Sequence, residues 1–263
     1  MNMEISENAK GNSTYDESAE FIATLTDAPP SRLTACAGWT VHEITAHLTA
    51  GSQEIADLIE DHLDGARPRD TKPFELREAP YRAMDDQKLR DAFFEQVDRS
   101  KDARGRLEEL PGDAVLFTGR LMSASEFVTH SRSERALHRW DIVGRDEIGW
   151  NILAQPELTL HALKILTEMP VLAEALANRL RVGTYGGGDS DIVIRSGFHD
   201  DVIISLSCGV LEVHMEIQTD RYIDVELDAA SRLLSLWGRH EPSAPVLLGK
   251  RTDRTLLGAL FGW

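Results

Sequence analysis

The chain has 263 residues, a formal charge of −16, and hydrophobic and charged fractions of 42% and 27%. Those are globular values with ample core for one large domain or two moderate ones, and the acidic balance disfavours nucleic acid and anionic membrane, which both need a basic face. No run approaches the ~18 apolar residues of a membrane span, and two cysteines, Cys36 and Cys208, far apart and in no CxxC pattern, suit buried thiols in a reducing, cytoplasmic compartment.

The acidic, polar start reads as neither a signal nor a transit peptide and is expected to fray to about residue 12. A first helix is expected over 13–27, ending before Pro29 and Pro30, which cannot continue it. Residues 39–63 carry Val41, Ile44, Leu48, Ile55, Leu58 and Ile59 near a period of 3.6. Thr40 with Glu43 three positions on makes a capping box at the start of that helix. His47 shares the side of Ile44 and Leu48, whereas His42 and His62 read as solvated. A lone histidine on an apolar face is most simply a hydrogen-bonded core residue, so His47 gains meaning only with partners. Residues 64–80 hold three prolines and predict a long loop. A third helix over about 84–109 carries Leu89, Phe93, Phe94, Val97 and Leu107 and stops at Pro111-Gly112. A short irregular piece follows, and Ser123 with Glu126 forms a second capping box.

That box opens FVTHSRSERALHRWDIVG, residues 127–144. His130, Glu134, His138 and Asp141 are spaced by four, four and three, which stacks them on one helix stripe. Phe127, Val128, Leu137, Trp140 and Val143 fall mostly on neighbouring faces, so the stripe borders a core. Ionisable groups in such a place need partners or a metal. Glu134 and His138, one turn apart, can grip one ion. With His47 they make a two-histidine, one-carboxylate set with open positions, suited to zinc or another first-row divalent ion. Four helices joined this way suit a bundle with the site in its interior.

From about residue 150 the pattern changes. Residues 156–181 are again helical, with a kink or break expected at Pro170. The run TYGGGDSD, 184–191, could cradle a phosphate, but no GK[ST] or GxGxxG is present, and a turn before a strand is the plainer reading. DIVIRS, VIISLSC, VLEVHMEI and YIDVEL read as strands, and VHMEI and YIDVEL alternate as half-buried antiparallel strands do. Asp228 opens a helix through Leu236, and a last helix is expected over 253–261. The fold class is therefore α+β: a four-helix bundle over 1–150, then a small antiparallel sheet with helices over 151–263.

SRLTACAGWTVHEITAHLTAG, residues 31–51, resembles the opening motif of the mycothiol-dependent maleylpyruvate isomerase family, a branch of the DinB-like four-helix bundles. Glu134 and His138 match the family's Glu-x-x-x-His helix, and AASRLLSLWGRHEP, 229–242, is similar to the Trp-Gly-Arg segment of its sterol-carrier-like second domain. The resemblance implies His47, Glu134 and His138 as ligands of a divalent metal, zinc, with mycothiol as thiol cosubstrate and a small-molecule electrophile as substrate. No GxSxG is present and neither cysteine has an adjacent histidine, which agrees with an external nucleophile. A thiol activated at such a centre adds to a double bond, permitting cis–trans isomerisation, or displaces a leaving group in S-transfer; both stand open. Arg239 is the substrate-facing arginine that the resemblance implies, with a surface salt bridge as the alternative; Arg82 and Arg135 are weaker candidates. His130 is a spare ligand, a partner, a proton carrier or core packing. Asp141 is read as orienting a ligand imidazole. The two units are expected to meet at the open side of the metal, near Trp237–Arg239. Cys36, close to a helix start, is the internal alternative to an external thiol. A non-catalytic metal- or thiol-binding protein and a hydrophobic-ligand carrier stand beside the enzyme.

Overall fold

The computed structural model of the protein describes residues 16–182, 190–197, 199–207, 210–218, 220–239 and the backbone of 247–248. The expectations for the frayed start, the glycine run, Cys208 and the last helix lie outside these residues. The helical half consists of α1 (Glu17–Asp27), α2 (Val41–Leu63), α3 (Phe74–Arg82), α4 (Asp86–Glu108) and α5 (Ala124–Val143). Both expected capping boxes are present: Thr40 with Glu43 opens α2, and Ser123 with Glu126 opens α5. Asp16 and Asp85 cap α1 and α4 by accepting from backbone amides of the first turn.

Helix α3 corrects the long loop expected over 64–80. Pro80 sits inside it, near the end of a nine-residue helix where one missing donor costs little. The helix survives because it packs on α2 and buries Arg77, Glu78 and Tyr81. The stretch read as irregular before α5 is a hairpin, β1 (Val115–Phe117) against β2 (Arg120–Met122). Its turn residues Thr118 and Gly119 have φ of 51° and 85°, the left-handed pair of a type I′ turn. A threonine at the first of those positions hides the signal that Asn-Gly would have given. Val128 and Val143 are exposed, so the apolar flank of α5 is narrower than its pattern predicts.

The chain continues through α6 (Glu147–Leu153), capped by Asp146 and not foreseen, to α7 (Pro156–Glu168) and α8 (Pro170–Val182), split at Pro170 as expected. Then come β3 (Ser190–Ser196), β4 (His199–Ser207), β5 (Val210–Glu216), β6 (Val225–Glu226), α9 (Ala229–Leu236) and β7 (Leu247–Leu248). The sheet order is β5-β4-β3-β6-β7. YIDVEL does not form a full antiparallel strand: only its Val225–Glu226, β6, is extended in the sheet, parallel to β3 and antiparallel to β7. Asp224 explains the short strand, because its Oδ2 accepts from the Val193 amide at 3.0 Å and occupies the ladder with a side chain.

Helix α5 contributes to three core clusters. Its Phe127 end packs with Ile55, Ile59, Leu107 and Phe117, while Ala136, Leu137 and Trp140 join α6, α7, α9 and the sheet. A third cluster sets Phe21 and Phe93 against Ile44 of α2 and Ile142 of α5. The protein is α+β, and no helix among the described residues is long and apolar enough to cross a membrane.

Candidate functional site

Helix α2 supplies His47, and α5 supplies Glu134 and His138 one turn apart. One ligand atom from each lies within 4.8 Å of the others. His47 Nε2 is 3.3 Å and His138 Nε2 3.8 Å from Glu134 Oε2. The other nitrogen of each ring is already taken. His47 Nδ1 is 2.7 Å from Glu78 Oε1, and His138 Nδ1 is 2.8 Å from Asp141 Oδ2.

Each of those carboxylates is held in turn by an arginine. Arg82 donates through Nε and Nη2 to Glu78 Oε2 at 3.1 and 2.7 Å. Arg239 donates to both oxygens of Asp141, each at 2.8 Å. The site thus has two arms of the same design, arginine–carboxylate–imidazole, converging on Glu134. Aromatic rings pack the imidazoles from outside: Trp39 stacks parallel to His138 at 6.2 Å, and Phe74 lies 5.7 Å from His47.

Burial alone would push the His47 pKa down, but its hydrogen bonds to Glu134 and Glu78 outweigh that and raise it to about 9. Burial pushes Glu134 upward, yet the His47 hydrogen bond and the neighbouring imidazoles hold it well below the usual carboxylate range. Burial dominates at His138 and lowers its pKa, with Asp141 opposing. The two imidazoles on one carboxylate are therefore shifted in opposite directions, His47 upward and His138 downward.

A cavity of about 280 Å³ opens beside this group, lined among others by His47, Glu134, His130, Arg77, Arg135 and Trp237. His130 stands one turn before Glu134, outside the three-residue group, with Nδ1 3.2 Å from His161 Nε2. Burial lowers the pKa of both, that of His161 to about 3. Arg239 lies beside the site, bonded to Asp141. Arg82 is committed to Glu78, and buried Arg135 reaches Ser18 Oγ at 3.0 Å. His42 and His62 sit apart, on Asp86 and Asp113. Cys36 is half-buried, and burial and then the Asp141 charge push its thiol pKa up, so it is not poised as a thiolate.

Sequence reasoning missed Glu78, Arg77 and His161. The first two lie in the segment read as loop, where the Glu78–Arg82 spacing of four was the available helical signal. His161 is a single imidazole in the apolar pattern of α7 and carries no spacing signal.

The family profile described as mycothiol maleylpyruvate isomerase N-terminal domain matches residues 13–143. No curated protein matches the chain in sequence. Among solved structures, the crystal structure of the mycothiol-dependent maleylpyruvate isomerase superposes with a TM-score of 0.58 at 16% identity, covering 89% of this chain and 90% of that one. A histidine-to-alanine mutant of that isomerase superposes with a TM-score of 0.55 over the same shares. At that identity the likeness speaks for the fold over most of the chain, and the profile for its first half. With the GWT turn, the Glu-x-x-x-His helix and the WGR segment all present on this fold, the chain belongs to the mycothiol-dependent maleylpyruvate isomerase family.

Proposed function

We propose that the protein is a metal-dependent isomerase that uses mycothiol to carry a small-molecule electrophile through cis–trans isomerisation; the name of its structural relative states mycothiol dependence and isomerase activity for that enzyme. The observation that carries this reading is the orientation of the two imidazoles. Carboxylates occupy both Nδ1 atoms, so both Nε2 atoms turn toward Glu134, which is how ligand histidines are prepared for a divalent ion. His47, Glu134 and His138 would hold it, and two nitrogens with one carboxylate suit zinc or another first-row divalent ion. When bound, the ion supplies a Lewis acid that lowers the pKa of a thiol or water in its open positions.

The chain's own residues do the rest. Glu78 and Asp141 fix the rings, and Arg82 and Arg239 neutralise those carboxylates so that both can stay ionised while buried. Phe74, Ile165, Leu172 and Trp237 wall the cavity and keep water from the reacting carbon. His130, kept neutral by burial, is the base beside the cavity that takes the thiol proton and returns it. The thiolate forms a C–S bond as the π bond opens, the remaining single bond rotates, and elimination breaks the C–S bond and restores the alkene. Thiol and proton are both recovered, so mycothiol is a catalyst and not consumed. Cys36 is not the nucleophile, since its thiol is held protonated, and the compartment is the cytoplasm.

Elemental analysis of purified protein, with thiol-dependent isomerisation followed in parallel, tests this. About one equivalent of zinc per chain and activity only with added mycothiol are expected. His138→Ala should lose most of the metal and the activity. Full occupancy in that variant ends the metal reading, and thiol-independent turnover lost in Cys36→Ser ends the external-thiol reading.

A further inference from the structure

The cavity beside the cluster contains a cation that the fold leaves unanswered. Arg77, on α3, is 8% exposed, and its Nε and Nη1 are buried without a hydrogen-bond partner among the described residues. No salt bridge to it is found there either, although carboxylates surround it. Glu54 is taken by Arg69 and the Lys72 amide, Glu78 by His47 and Arg82, and Glu134 by His47. The Arg77 guanidinium rests on the Phe74 ring, 4.2 Å from its centroid, and lines the same cavity as His47 and Glu134. Burial lowers its pKa, yet a guanidinium stays protonated in proteins.

A buried cation with open donors is destabilising unless something answers it. Stacking on Phe74 fixes the plane of the fork and answers only part of that cost. Nε and Nη1 lie on opposite edges of the guanidinium, each shared with Nη2, which has no hydrogen bond among the described residues either; either edge, Nε–Nη2 or Nη1–Nη2, can take a carboxylate in two parallel hydrogen bonds. The arginine expected in this role, Arg239, spends its own fork on Asp141.

We propose that Arg77 is the specificity-determining residue of the cavity, anchoring a carboxylate of the substrate. This rests on the reading of the cavity as the substrate site of the isomerase. Phe74 and Arg77, three apart on α3, would then work together, the ring next to His47 and the fork beyond it. The enzyme would select acidic electrophiles over their neutral esters or amides, while Arg239 stays on Asp141 as a positioning residue.

The test uses tryptophan fluorescence, with Trp237 on the cavity wall, to follow binding of succinate and of its neutral analogue succinamide. Wild type, Arg77→Gln and Arg77→Lys are each titrated after chelation and after zinc loading. Wild type should bind succinate at least tenfold more tightly than succinamide in both states. Arg77→Gln should lose that preference with succinamide binding unchanged, and Arg77→Lys should keep part of it, having the charge but not the fork. Absence of preference in wild type, or a preference intact in Arg77→Gln, overturns the proposal. Should circular dichroism show Arg77→Gln misfolded, the wild-type comparison and Arg77→Lys decide. Charge preference in a protein that takes up no zinc sinks the metal reading alone, and zinc uptake without charge preference sinks the role of Arg77 alone.

Discussion

His47 and His138 reach Glu134 with their Nε2 atoms because Glu78 and Asp141 take their Nδ1 atoms, and that division of labour makes distinct predictions for each kind of residue. Asp141→Asn keeps the shape but removes the negative charge that accepts from His138 Nδ1. It should weaken zinc about 10–100-fold, read by competition with a chromogenic chelator, while His138→Ala should lose far more; equal losses would put Asp141 among the ligands. His161 gives a pH prediction. Its folded pKa is about 3 against an ordinary 6.5, because burial disfavours the cation and His130 and Arg120 add to it against Glu134 and Glu126. Between those values the unfolded chain binds the proton and the folded chain does not, so stability is full above pH 6.5 and falls as pH falls toward 3. The loss is on the order of a few kcal/mol at one unit's worth of ~1.4 kcal/mol each. His161→Gln, which can still hydrogen-bond but cannot titrate, should flatten the urea midpoint between pH 7 and 5; an unchanged slope assigns the acid sensitivity elsewhere.

At the scale of elements, the helices that carry the ligands were legible because capping and period agreed over long segments. Thr40–Glu43 and Ser123–Glu126 started α2 and α5, and the spacing of four put Glu134 above His138. What stayed hidden was decided by tertiary contact. Prolines masked α3, whose folding depends on packing against α2, and with it went Glu78 and Arg77. A Thr-Gly turn hid the hairpin, and a hydrogen bond from the Val193 amide to the Asp224 carboxylate shortened YIDVEL to two strand residues. The capping box of α2 can be tested alone. Thr40→Ala removes the Thr40 hydroxyl that accepts from the Glu43 amide and should cost about 1 kcal/mol of unfolding free energy. Because Thr40 adjoins Trp39 rather than the ligands, zinc content should not change; loss of zinc would mean that the cap positions His47 as well as starting its helix.

At the scale of the whole molecule, α5 contributes to all three core clusters described, so the ligand helix is also the beam on which the sheet half is built. We keep the division near residue 150 as a proposal, and one bidentate tie across it is Arg239 on Asp141. Asp141 is 2% exposed, and its carboxylate answers His138 on one side and Arg239 on the other. Removing one partner of a buried pair leaves a charge without compensation, at a typical cost of 3–5 kcal/mol. Asp141 keeps its bond to His138, which places Arg239→Met near the lower end, about 3 kcal/mol by chemical denaturation. The same variant separates the two readings of Arg239. If it positions Asp141, loss should appear as weaker zinc binding and lower kcat, with the preference for succinate over succinamide intact, because the carboxylate anchor is Arg77. If Arg239 itself holds substrate, the preference should collapse while zinc stays bound. The bidentate geometry at 2.8 Å to both oxygens favours the first outcome, since a guanidinium so engaged has to break two charge-assisted hydrogen bonds before it can reach a ligand.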